Sequence, residues 1–85
     1  MKTIWKFPLQ VTDEQSVMMP AGSQPLTVQI QGEQVCLWAL VNPDAEKEDR
    51  TVQIFGTGHP VKVAGDYIST FQMRGGALVF HAFII

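Results

Sequence analysis

The stretch Leu26-Thr27-Val28-Gln29-Ile30-Gln31-Gly32-Glu33-Gln34-Val35-Cys36-Leu37-Trp38-Ala39-Leu40-Val41 decides the fold. Its first six residues alternate. Leu26, Val28 and Ile30 share one side of an extended chain and Thr27, Gln29 and Gln31 the other, the period of a strand with one buried face. Gly32-Glu33 follows, and glycine at the first position of a two-residue loop supplies the positive φ of a type II′ hairpin turn. The returning segment, Val35–Val41, is apolar on both sides. That predicts a central strand, covered on both faces by a second sheet, a helix or a partner chain.

The same period extends in both directions. Thr3–Leu9 sets Trp5, Phe7 and Leu9 against Ile4 and Lys6, and Pro8 suits a first or edge strand rather than a helix. Glu14–Met19 alternates more weakly, with Val17 and Met19 on one face, until Pro20-Ala21-Gly22-Ser23 ends it. Thr51–Phe55 resumes the pattern, followed by a turn at Gly56-Thr57-Gly58-His59-Pro60 and a short strand at Val61-Lys62-Val63. Tyr67–Met73 alternates again, and Arg74-Gly75-Gly76 predicts a tight reversal. Ala77–Ile85 closes the chain, apolar on both faces except at His81.

Between these strands Asn42-Pro43-Asp44-Ala45-Glu46-Lys47-Glu48-Asp49-Arg50 breaks the period. It reads either as a solvated charged loop or as a short helical turn with Asn42 as its cap and Pro43 at the first position. Six or seven short strands, turn signals at about ten-residue spacing and no long 3.6-residue stripe predict an all-β domain. The expected form is a small antiparallel sandwich or part-open barrel over residues 1–85, with at most one short helical turn. Connections between sequence neighbours are the default expectation.

Composition excludes several function classes. Apolar residues make up 46% of the 85-residue chain and charged residues 16%, which supports a packed core rather than disorder. Six Lys and Arg against eight Asp and Glu give a net charge of −2, too balanced to steer toward nucleic acid or an anionic membrane. Cys36 is the only cysteine, so no internal disulfide can form, and a reducing, cytoplasmic compartment is expected. Charge and proline within Met1–Pro8 do not suit a signal peptide. The longest apolar run, Val35–Val41, is of strand length rather than membrane-span length.

Two places merit attention as sites. In Gly56-Thr57-Gly58-His59, the glycines could bring backbone N–H groups toward an anion while the imidazole of His59 exchanges a proton. The blander reading is a turn in which His59 bonds locally. The motif has neither the Lys-Ser/Thr ending of a P-loop nor the following helix of a dinucleotide fingerprint. The second place is the terminal strand, where His81, Phe83 and Ile85 are candidate interface residues. That strand lacks a charged gatekeeper, and at a sheet edge it would invite another chain. A homodimer burying it is favoured, with a central position as the alternative. His81, set among apolar residues, is expected to find a carbonyl, hydroxyl or water partner. The seven Trp and Phe side chains, Trp5, Trp38, Phe7, Phe55, Phe71, Phe80 and Phe83, are assigned to the core, with an exposed aromatic patch for a ligand or partner as the alternative. No catalytic residue, metal ligand set or cofactor is expected: two histidines fall short of a zinc site, and no nucleophile has an oriented base nearby.

Lys2-Thr3-Ile4-Trp5-Lys6-Phe7-Pro8-Leu9, Cys36-Leu37-Trp38-Ala39-Leu40-Val41, Gly56-Thr57-Gly58-His59-Pro60 and Gly75-Gly76-Ala77-Leu78-Val79-Phe80-His81 together resemble a family of very short, uncharacterised proteins encoded by bacteriophages and prophages. The similarity spans nearly the whole chain, with the blocks in the same order. It implies no catalytic residues. It implies expression in a bacterial host cytoplasm, in a setting where small proteins bind a host protein, block a host defence or serve as minor virion components. The expected function is a non-enzymatic binding module for a host or phage protein. The alternatives are sequestration of a small anionic signalling ligand and a minor structural role in the virion.

Overall fold

A computed structural model describes residues Met1–Ile85. Seven strands form in chain order: β1 (Thr3–Leu9), β2 (Glu14–Pro20), β3 (Gln24–Gln31), β4 (Gln34–Val41), β5 (Lys47–Gly56), β6 (Asp66–Met73) and β7 (Leu78–Ile84). They make two antiparallel sheets, ordered β1-β4-β3 and β2-β5-β7-β6, which do not close into a barrel. The expected all-β sandwich is the observed architecture.

The β3–β4 hairpin forms as read. Gln31 pairs with Gln34 across Gly32-Glu33, and Gly32 alone of the two has a positive φ, 63°, as a II′ turn requires. Default pairing of sequence neighbours holds only for β3–β4 and β6–β7; β1 pairs with β4, β2 with β5 and β5 with β7. The reason is size. Each strand must bury its apolar face against an opposite layer, so the chain crosses between sheets at 10–13, 21–23 and 42–46 instead of continuing one meander.

The core joins inward faces from both layers. Leu9, Val28, Val35 and Leu37 meet Val17, Met19, Val52, Ile54, Phe71, Ala82 and Ile84. The central strands β4, β5 and β7 contain no proline, whereas the edge strands β1, β2 and β3 carry Pro8, Pro20 and Pro25. Proline is tolerated there because an edge strand has one row of N–H groups with no partner strand. In β2 the direction can be traced: Ala21 N–H donates to Glu46 O and Ile54 N–H to Asp13 O, so odd positions bond toward β5. Pro20, an even position, therefore lacks its N–H on the unpaired side.

Sheet-to-sheet closure comes from side chains at the corners. Ser69 Oγ in β6 accepts from Val28 N–H in β3 and donates to Val28 O, each at 2.8 Å. At the β1–β2 crossing, Gln15 does the same for Gln10, accepting from its N–H at 3.0 Å and donating to its carbonyl at 2.6 Å.

Three local expectations are corrected. Val61-Lys62-Val63 is not a strand but part of the loop between β5 and β6, because no strand edge lies alongside it. The charged segment is loop only as far as Glu46. Lys47–Arg50 is the first part of β5, where β2 supplies a hydrogen-bonding partner that outweighs local polarity. Asn42 caps no helix; its Oδ1 accepts from Asp44 N–H at 3.1 Å, an Asx turn. The single helical turn lies elsewhere, at Arg74–Gly76. The aromatic assignment also changes: Phe71 is buried, but Phe55, Phe83 and Trp38 sit on outward faces and are only half-buried. Val35–Val41 is central, with Cys36 buried, yet no element lies over Trp38 and Leu40, which neighbouring side chains half-cover. No helix is long and apolar enough to cross a membrane.

Candidate functional site

Of the candidate residues read from the sequence, His81 and Phe83 lie on the outward face of the four-stranded sheet, while Gly56–His59 sit at and beyond the end of β5 and Ile85 beyond β7. Register explains why. Gln53 and Phe55 of β5 lie opposite Phe83 and His81 of β7, and these lie opposite Tyr67 and Thr70 of β6, so all six point away from the core. The loop from Thr57 to Gly65 then folds back across this face.

Gln53 anchors that loop. Its side chain is 3% exposed, donates to Val63 O at 3.0 Å and Glu14 Oε1 at 3.4 Å, and accepts from Gly65 N–H at 2.9 Å. Gly65 lies so close to the Ile84 carbonyl that a Cβ there would overlap its oxygen. At the other end His59 N–H donates to Gly56 O at 3.1 Å, and the His59 ring lies over Gly56, where an added Cβ would be 3.0 Å from it.

A cavity of about 540 Å³ opens between this loop and the start of β2. Gln53 and Phe55 line it from the sheet, Asp13 and Glu14 from one side. His59, Pro60, Lys62 and Val63 line it from the loop, and Ile85 from beyond β7. Of the four loop residues proposed from sequence, only His59 reaches it. Gly56 lies beneath the imidazole, Thr57 is turned toward His81, and Gly58, at φ 87°, forms the turn. Two of the loop's backbone donors are already engaged, Thr57 N–H with Val79 O and His59 N–H with Gly56 O.

Beside the cavity stands an aromatic cluster. Phe83 makes edge-on contacts with Phe55 (5.8 Å) and Tyr67 (5.5 Å), and Tyr67 is 59% exposed. His81 is held by hydroxyls: Thr57 Oγ1 lies 2.7 Å from Nε2 and Thr70 Oγ1 3.0 Å from Nδ1. Tyr67 OH is 2.7 Å from Thr70 Oγ1, and Thr57 Oγ1 is 3.4 Å from Val79 O. One proton arrangement satisfies the whole chain: Tyr67 donates to Thr70, Thr70 to Nδ1, Nε2–H to Thr57, and Thr57 to Val79 O. His81 is thus an ordering element of this face, and the hydroxyl partner expected of it is present.

β7 pairs on both sides, with β5 and β6, so its backbone is not available for edge-on dimerisation. Any contact through His81, Phe83 or Ile85 must be made face-on.

A family model for a domain of unknown function, DUF7352, matches residues 1–84. The chain belongs to the DUF7352 family. No curated protein matches it, and no solved structure does. The match covers all seven strands, so the aromatic cluster and every cavity-lining residue except Ile85 lie within the family's domain. Asp13, Glu14, Gln53, Lys62 and Tyr67 were not singled out from sequence. The alternation that sets Gln53 and Phe55 on one side of Thr51–Phe55 was visible, but that this side faces a folded-back loop was not.

Proposed function

We propose that this protein is a non-enzymatic binding module that engages a protein partner through the outward face of its four-stranded sheet. The Tyr67–Phe83–Phe55 cluster carries this reading. It sets aromatic surface on a rigid sheet, beside a cavity rimmed by charge, which is the composition of an interface centre. Resemblance to short phage and prophage proteins supports a host protein as the partner and an accessory role in the infected cell. Sequestration of a small anionic ligand is less favoured, since Asp13 and Glu14 line the cavity.

The test is affinity purification of the tagged chain from its bacterial host, comparing wild type with Tyr67→Ala and Gln29→Ala. Gln29 is exposed on the other sheet. Specific loss of the co-purifying protein with Tyr67→Ala supports the reading. Loss with Gln29→Ala alone, or retention by both variants, contradicts it.

A further inference from the structure

We infer that the cavity between Asp13–Glu14 and the His59–Val63 loop receives the guanidinium of an arginine presented by a protein partner. This deepens the binding-module reading and rests on it.

The lining chemistry selects a cation. Both amide protons of Gln53 are used, on Val63 O and Glu14 Oε1, and its oxygen accepts from Gly65 N–H, so the floor offers no free donor. The carboxylate of Glu14 accepts only the long 3.4 Å bond from Gln53, and a carboxylate has about four lone-pair positions. Asp13, the neighbouring acidic residue, also lines the cavity. Lys62 is the one fixed positive charge in the lining.

The shape of the wall selects arginine over lysine. Phe55 is half-buried and supplies a flat aromatic surface, while Pro60 and Val63 supply apolar contacts for an aliphatic stem. A guanidinium can stack on a ring and fork to carboxylates together, whereas an ammonium is a compact, strongly hydrated charge. A volume of about 540 Å³ holds such a side chain with some of its flanking backbone. Arginine is also among the residues that most often anchor interface centres, and the exposed Tyr67 ring lies on the same face.

Lys62 sets the sign of one substitution. Its ammonium repels an incoming cation, so Lys62→Ala tightens binding rather than loosening it.

Amide shifts of the full chain are followed by NMR during titration with N-acetyl-arginine amide, and separately with the citrulline, lysine and aspartate analogues. Saturable shifts at Glu14, Gln53, Phe55 and His59 are expected with arginine, about tenfold weaker with citrulline. Glu14→Gln should weaken arginine binding about fivefold, and Lys62→Ala should strengthen it. Because arginine and citrulline are compared on the unaltered protein, the result does not depend on a variant folding. Equal response to citrulline, preference for the aspartate analogue, shifts centred elsewhere or no saturable shift would each overturn the assignment. If Tyr67→Ala abolishes partner capture while arginine is not bound, the inference fails and the binding-module reading stands.

Discussion

Ser69 Oγ takes both backbone hydrogen bonds of Val28, accepting from its N–H and donating to its carbonyl at 2.8 Å each. One side chain of β6 thus occupies the place that a partner strand would take along the edge of β3. Val28 is fully buried, so neither of its polar groups has water as an alternative partner.

Ser69→Ala should therefore cost about 2 kcal/mol, the penalty for leaving buried backbone groups unpaired. In urea, the midpoint should fall with the slope unchanged, and the melting temperature should drop by roughly 4–8 °C per kcal/mol lost. A change within about 0.5 kcal/mol would mean that the Ser69–Val28 bonds do not hold the two sheets together.

Gly65→Ala should dislodge the loop rather than the core. The added methyl meets Ile84 backbone, which cannot yield as a side chain would, and strain of ~2 kcal/mol is expected. Hydrogen exchange should show faster exchange at Gly65 N–H and through the loop, while Val35–Val41 keeps its protection. Uniform loss of protection across both sheets would contradict a loop that is separately anchored.

The hydroxyl chain around His81 is fully satisfied by the Nε2–H tautomer of the neutral ring, in which Thr57 passes its own proton to Val79 O. Nitrogen-15 shifts of the imidazole should show a protonated Nε2 and an unprotonated Nδ1. The reverse pattern would show that Thr70 accepts and that the chain runs the other way. Thr70→Val should remove the preference for one tautomer.

Much of the fold is legible in the sequence, and what is missing has a common cause. Leu26–Gln31, Gly32-Glu33 and Val35–Val41 interact with immediate neighbours in the chain, so local period and turn chemistry specify their hairpin. Lys47–Arg50 extends β5 only because β2 lies beside it, and that pairing is not written in the charges of the segment. The Ser69–Val28 bond spans 41 residues and depends on which edges meet. The candidate site divides in the same way. His59 and His81 stand out as chemical exceptions in their own segments, and Phe83 and Ile85 belong to an apolar run without a charged gatekeeper, whereas Gln53 and Glu14 acquire meaning only when the loop closes over the sheet.

The most direct measurement on the proposed binding face is site-specific photo-crosslinking in the bacterial cells proposed as the host. A photoreactive residue is placed at Tyr67 in one variant and at Gln29, on the outward side of the three-stranded sheet, in another. A discrete crosslinked partner at position 67 and none at 29 is the predicted result. A crosslink at position 29 with none at 67 would contradict the assignment of the working surface to the four-stranded sheet.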